Sequence, residues 1–186
     1  PSLVFFNFLK KKKIKVLKNM ENLKTKYPNK KFDIIMHFFV LEHIADPKKF
    51  FKEQIKLLKK NGKIILEVPC YSDALYKLYK IKSFEKFYWS IVHPWYFNMK
   101  SLKILLDQLN INYKLRYHQR YSLANHLTWA TKGTPGSSKN LEKVLGGKIN
   151  NMYKSTLEKS GFADTIIAEI TKWKFLPRYK EISFFS

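Results

Sequence analysis

An α/β fold, with a mostly parallel sheet flanked by helices, is what this 186-residue sequence predicts. Strand-length apolar runs, Phe32 to Phe39 and Lys63 to Val68, alternate with amphipathic stretches of helical length. Those two runs are continuously apolar instead of alternating, as in strands covered on both faces. The segment between them has the cap and the length of a helix, which makes strand, helix and strand one right-handed crossover. Hydrophobic residues form 45% and aromatics 16% of the chain, enough for a packed core and too many for a disordered segment.

In chain order, Leu3 to Lys12 reads as a helix with Leu3, Val4, Phe5, Phe6, Phe8 and Leu9 as its apolar cluster. Lys13 to Leu17 is a short strand candidate through Ile14 and Val16. Asn19 to Lys31 is polar and carries the turn signal Tyr27-Pro28-Asn29. After the Phe32 strand, Asp46 can cap a helix and Pro47 suits its first turn. Phe50, Phe51, Ile55, Leu57 and Leu58 give that helix an apolar face, and Asn61-Gly62 should stop it. Lys63 to Val68 is the next strand, ended by Pro69. Tyr71 to Trp89 is helical and rich in aromatics, and Ser101 to Leu109 is a further amphipathic helix. Tyr113 to Leu123 alternates as a strand does. Gly133 to Ser138 is a loop, Asn140 to Lys159 a helix broken at Gly146-Gly147, and Ala163 to Trp173 a last strand.

Charge and cysteine usage narrow the function. The net charge of +22 invites a nucleic-acid partner. Yet of the 36 basic residues only Arg116, Arg120 and Arg178 are arginines. Readers of phosphates and bases favour the planar arginine fork, and here the lysines are spread along the whole chain. They make no strong case for nucleic acid. No apolar stretch approaches the roughly 20 residues of a membrane-spanning helix. Cys70, the single cysteine, has no internal disulfide partner, which fits a reducing cytoplasm. The histidines and Cys70 show no local metal-ligand spacing, so no metal is expected.

Four motifs in order carry a family resemblance. Phe32-Asp33-Ile34-Ile35, then Val40-Leu41-Glu42-His43-Ile44 and Asp46-Pro47, resemble the fourth strand and following loop of class I S-adenosylmethionine-dependent methyltransferases. Asn61-Gly62-Lys63-Ile64-Ile65-Leu66-Glu67-Val68-Pro69 is similar to that family's fifth strand. His93, Tyr96-Phe97 and the Ser101-Leu102 helix resemble its "H-x-x-x-F-S-x-x-x-L" element. The strings around Arg120 to Leu127, Gly133 to Gly136 and Ala163 to Thr165 resemble a subgroup with an extended connection between its last two strands. The resemblance implies a Rossmann-like methyltransferase fold over residues 1–186 as one domain, with an aromatic lid-like segment at 71–97 and an insertion at 122–161. It also implies that the chain is amino-terminally truncated. The chain opens with Pro1, and the family's glycine-rich loop and ribose-holding acid would lie upstream. The expected consequences are an uncovered edge on the Phe32 strand, low stability and poor cofactor binding by this segment alone.

Ligands of open α/β sheets sit beyond the carboxyl ends of the strands, so the candidate site residues are those in the loops there. By resemblance, Asn19 and Met20 follow the third strand, where the family places an acid near the adenine; Asn19 stands in its place. His37, Phe38 and Phe39 end the fourth strand, where the backbone would touch the methionine part of S-adenosylmethionine and a ring could favour its sulfonium. Glu42 and His43 are the candidate catalytic pair, with His43 taking a proton from the acceptor and His93 facing it. Tyr96, Asn125 and His126 are candidates for gripping a polar substrate.

The function expected is cytoplasmic methyl transfer to a hydroxyl or amine of a small molecule such as a sugar, lipid precursor or secondary metabolite. The alternatives are an RNA or protein methyltransferase and a non-enzymatic protein with a degenerate cofactor site. Oligomeric state is not legible in the sequence.

Overall fold

The computed structural model describes residues 3–17 and 19–172, so Pro1, Ser2, Trp173 and Arg178 lie outside the described residues. The chain divides into two compact units, Pro1–Phe32 and Asp33–Ser186.

The first unit holds helix α1 (Leu3–Lys11) and helix α2 (Met20–Lys26). Asn19 caps α2, its Oδ1 accepting the Asn22 N–H at 2.9 Å. The strand expected at Lys13 to Leu17 does not form. Lys13 adopts a left-handed conformation (φ 58°) as α1 closes, and Ile14 is exposed. The first unit contains no strand among its described residues before Phe32, and an isolated stretch with two apolar residues among lysines is not stable as a strand.

The second unit is built on a four-stranded sheet in the order β1-β2-β4-β3. Its strands are β1 (Phe32–Phe38), β2 (Leu58–Pro69), β3 (Asn112–His118) and β4 (Thr165–Thr171). At one end of the β1–β2 pair the Lys59 ammonium meets Asp33 at 2.8 Å, and at the other the Phe39 N–H donates to the Glu67 carbonyl at 2.9 Å. Residue numbers therefore rise together along β1 and β2, so the two strands run parallel. β4 is antiparallel to both its neighbours, from Lys63↔Thr171 to Pro69↔Thr165 and from Asn112↔Thr171 to His118↔Thr165. β1, β2 and β3 point the same way and β4 alone runs against them, so the expected mostly parallel sheet is mixed. The reason is local: the chain leaves β3 at His118 and re-enters at Thr165 directly opposite, so β4 has to run back.

Between β1 and β2 the chain makes a 3₁₀ turn (Leu41–His43) and helix α3 (Pro47–Leu57). Asp46 caps α3 through the Lys49 N–H at 3.0 Å, and Pro47 occupies its first turn, as predicted. The helix ends before Asn61-Gly62, which lie inside β2. Leu58 leaves the helical conformation (φ −77°, ψ 144°) and buries its side chain in the core. Replacing Asp46 with alanine should lower the unfolding free energy by about 1 kcal/mol, read as a shift in urea midpoint at constant slope.

Ile64, Leu66 and Val68 of β2 and Ile166, Ala168 and Ile170 of β4 form the centre of the core. Phe51 of α3 joins it, with Leu102 and Leu106 from helix α6 (Met99–Asp107). β1 is less buried than its apolar sequence predicts: Ile34, Met36 and Phe38 are exposed. It is the outermost strand among the described residues, and only His37 turns a buried side chain inward.

The aromatic segment 71–97 folds as two short helices, α4 (Ala74–Lys77) and α5 (Lys82–Tyr88), followed by a loop. β3 stops at His118, short of the predicted Leu123. Ser122 caps a helix instead, accepting the Asn125 N–H at 3.1 Å to begin α7 (Leu123–Lys132). Helices α8 (Lys139–Leu145) and α9 (Lys148–Ser160) follow with the expected break at Gly146-Gly147. Trp129 of α7 packs on Leu75 and Phe84, tying the insertion to the aromatic segment.

Candidate functional site

The carboxyl ends of β1, β2 and β3 and the amino end of β4 meet at one end of the sheet. There a cleft of about 490 Å³ opens. The residue after β1, Phe39, lines it, α5 contributes Phe84, Phe87 and Tyr88, and the loops contribute Asp73, His93, Tyr96, Arg120, Tyr121 and Asp164.

Phe39 sits in the left-handed region (φ 56°), uncommon for a bulky side chain and characteristic of functional turns. Its N–H is held by Glu67 O, and its ring carries the Arg120 guanidinium at 4.4 Å. Arg120 also approaches the Glu67 carboxylate at 3.8 Å, while Glu67 accepts the Thr165 hydroxyl at 2.8 Å. The buried Asp164 carboxylate fixes the loop that carries Arg120. It accepts the N–H groups of Arg120 (2.9 Å) and Tyr121 (2.9 Å) and the Gln119 side-chain amide (3.2 Å). Asp73, also buried, accepts the Leu75 N–H at 2.7 Å. Burial pushes its carboxyl up to about 7, with the neighbouring Asp164 charge adding to the effect. Burial also raises Asp164 and, more strongly, the Tyr88 phenol, whose hydroxyl is buried without a hydrogen-bond partner.

Glu42, His43 and His93 come together at the edge of this cleft although 49 residues separate the first His from Val92 beside the second. Three hydrogen bonds clamp the 3₁₀ turn to the 90–97 loop. His43 Nδ1 donates to the Val92 carbonyl at 2.9 Å, the Trp95 N–H to Glu42 O at 3.4 Å, and the Trp95 indole N–H to Ile44 O at 2.8 Å. The two imidazole rings then stand edge to face at 4.5 Å, and His93 faces Tyr96 at 5.8 Å. Glu42 is only 2% exposed and its Oε2 has no partner; burial raises its carboxyl above the usual range. Burial and, after it, the neighbouring His43 lower His93. Tyr96 is held in the cleft wall by its hydroxyl, which accepts the Ser90 N–H at 2.6 Å.

Among the other predicted residues, Asn19 and Met20 start α2 in the first unit. The His37 side chain is enclosed by Phe50 and Phe51, at 5.3 and 6.3 Å between ring centres, and burial lowers it to about 4; only its backbone is left for a ligand. Phe38 points the other way and is exposed. Asn125 donates to Gly136 O at 3.1 Å, with its Oδ1 unpartnered. His126 is buried in a network with Gln119 (3.2 Å) and the Tyr153 hydroxyl (2.6 Å).

Sequence reading missed Asp73, Tyr88, Arg120 and Asp164. The signal for Arg120 was present, since it is one of three arginines among 36 basic residues. Asp164 stood inside a quoted string but carried no role, because its partners are more than 40 residues away.

A mixed α/β sheet with a ligand-sized cleft beyond its strand ends defines a Rossmann-like ligand-binding architecture. A family model described as a methyltransferase domain matches residues 6–114, and the chain belongs to that family. The family's methyl donor is S-adenosylmethionine. Among solved structures the chain is similar to an S-adenosylmethionine-dependent methyltransferase from Archaeoglobus fulgidus, at 22% identity and TM-score 0.53, covering 91% of this chain and 72% of that one. It is also similar to a Thermotoga maritima protein described as a possible histamine N-methyltransferase (18%, TM-score 0.54, 92% and 70% covered). A third is a plantazolicin methyltransferase in complex with a triazolic desmethylPZN analogue and SAH (19%, TM-score 0.53, 93% and 66% covered). These likenesses show the fold. No match to a curated protein was found. No helix among the described residues is long and apolar enough to cross a membrane.

Proposed function

We propose that this cleft is the acceptor side of a cytoplasmic S-adenosylmethionine-dependent methyltransferase whose substrate is a small molecule bearing a hydroxyl or amine. The observation that carries the reading is the composition of the cleft. Among the described residues six aromatic rings, two buried carboxylates and one arginine line it and no lysine does, despite a chain with a net charge of +22. A polyanion such as RNA would call for the reverse. S-adenosylmethionine supplies an electrophilic methyl group on a sulfonium, so the protein's task is to align the acceptor and dispose of its proton.

The residues present suit the methionine end of that donor. Phe39, just past the β1 terminus, opens on the cleft, whose ring faces, carboxylates and unpartnered Tyr88 hydroxyl match a cationic, amino-acid-like group. The sequence contains no Gly-x-Gly string for the nucleoside end, and Asn19 and Met20 remain the proposed adenine contacts. Phe84, Phe87, Tyr88 and Tyr96 wall off the acceptor. His93 presents its imidazole to it, backed by His43 and Glu42, and so activates the acceptor by drawing off its proton. Asn125 and His126 act on the substrate at one remove, by holding the insertion and the Gln119 to Tyr121 loop.

The test is calorimetric titration of S-adenosylhomocysteine into the protein at its full natural length. Micromolar binding, weakened at least fivefold by Phe39→Ala, supports the reading. A folded protein that takes up no S-adenosylhomocysteine sinks it and favours a binding protein with a degenerate site.

A further inference from the structure

We propose that Glu42, His43 and His93 form a three-ligand site for a first-row divalent cation of the Zn²⁺ type, open on its remaining positions toward the cleft. The three residues each bring one ligand atom, and these atoms lie within 4.8 Å of one another. Bonds of about 2.1 Å to a tetrahedral Zn²⁺ place ligand atoms about 3.4 Å apart. With His43 held by Val92, rotation of the partly exposed His93 would have to close the remaining gap of up to about 1.4 Å.

Two further observations point to a cation. The Glu42 carboxylate is held almost entirely out of water with Oε2 lacking any partner. An uncompensated buried oxygen of this kind is costly, and a metal ion is one of the few things that remove the cost. His43 is already oriented as metal ligands are. A carbonyl can only accept, so Nδ1 donates its proton to Val92 O at 2.9 Å, leaving the Nε2 lone pair as the donor. One carboxylate and two imidazoles form a set that suits Zn²⁺, Mn²⁺ or Fe²⁺ and leaves coordination positions open. His93 lines the cleft, so those positions face the proposed acceptor.

The ion would take an acceptor oxygen or nitrogen as an additional ligand and lower its pKa there. Activation then comes from the cation in place of an imidazole lone pair. That second step rests on the methyltransferase reading; metal binding does not.

Zn²⁺ is titrated calorimetrically into the protein at its full natural length after chelation, and Co²⁺ is titrated in parallel with visible absorption as the readout. The expected result is one equivalent bound at micromolar affinity or tighter, with Co²⁺ absorption that reports nitrogen ligands. Both should weaken at least a hundredfold in the His43→Ala/His93→Ala variant, checked for folding by circular dichroism. Both positions are at the surface, and Glu42→Gln provides an independent variant with the buried shape kept. Binding that is absent, or that survives the double variant at other histidines, overturns the proposal. Since S-adenosylhomocysteine binding is measured separately, failure here leaves the methyltransferase reading standing, and the reverse also holds.

Discussion

Asp164→Ala is expected to destabilise the protein by about 3–5 kcal/mol, seen as a lowered urea midpoint with the slope unchanged. Asp164 is 4% exposed and accepts three hydrogen bonds from the Gln119 to Tyr121 loop. Alanine leaves the Arg120 and Tyr121 N–H groups facing a space with no acceptor, and each such loss costs about 1–3 kcal/mol. The loop also carries Arg120 onto Phe39 and Glu67, so the cleft should lose its polar wall along with stability. Asp164→Asn keeps one carbonyl acceptor and should cost about half as much. A loss below about 1 kcal/mol for the alanine variant would show that water replaces the carboxylate and that the loop does not depend on it.

The second large effect is a dependence of stability on pH centred on Asp73. Burial raises its folded-state carboxyl from 3.8 to about 7. Between those values the folded protein holds a proton that the unfolded chain has released, so stability falls as pH rises through that window. At 1.36 kcal/mol per unit the whole contribution is on the order of 4 kcal/mol. Asp73→Asn retains an oxygen for the Leu75 N–H and removes the titration. The variant should therefore match the wild type near pH 4 and exceed it by a few kcal/mol above pH 7. His37 and His126 act in the opposite sense. Burial lowers both from 6.5 to about 4, so their contribution is complete above pH 6.5 and lost as pH falls toward 4. They are common to both proteins and cancel in the difference between the two curves. A difference that does not change with pH would mean that Asp73 is hydrated in the folded state and ionises normally.

The elements that sequence reading located are those whose signals are local. Asp46 and Pro47 start a helix because cap and first-turn geometry depend on neighbouring residues alone. Gly146-Gly147 break one for the same reason. Glu42, His43, His93 and Tyr96 were singled out from motif strings, and the fold does gather them at one edge of a cleft. Where reading failed, a distant partner decided. Lys13 to Leu17 has strand-like spacing, yet Lys13 turns left-handed as α1 closes and no strand forms there. Ser122 and Leu123 continue an alternating pattern, yet the Ser122 hydroxyl finds a helix to cap.

By itself, then, the sequence determined an α/β protein, the positions of most of its principal strands and helices, and the short strings from which the site is built. Those properties follow from periodicity, capping and turn chemistry, all of which act over a few residues, while the methyltransferase family was legible only as a resemblance of motif strings. The tertiary structure alone decided that β4 runs back between β2 and β3, because its direction depends on where the 119–164 segment returns to the sheet. It alone decided that Arg120 lies on Phe39, that Asp164 holds the loop beneath it, and that two histidines 50 positions apart come within 4.8 Å of one buried carboxylate. Burial and long-range hydrogen bonds set those pairings, and neither is a property of any local stretch of chain.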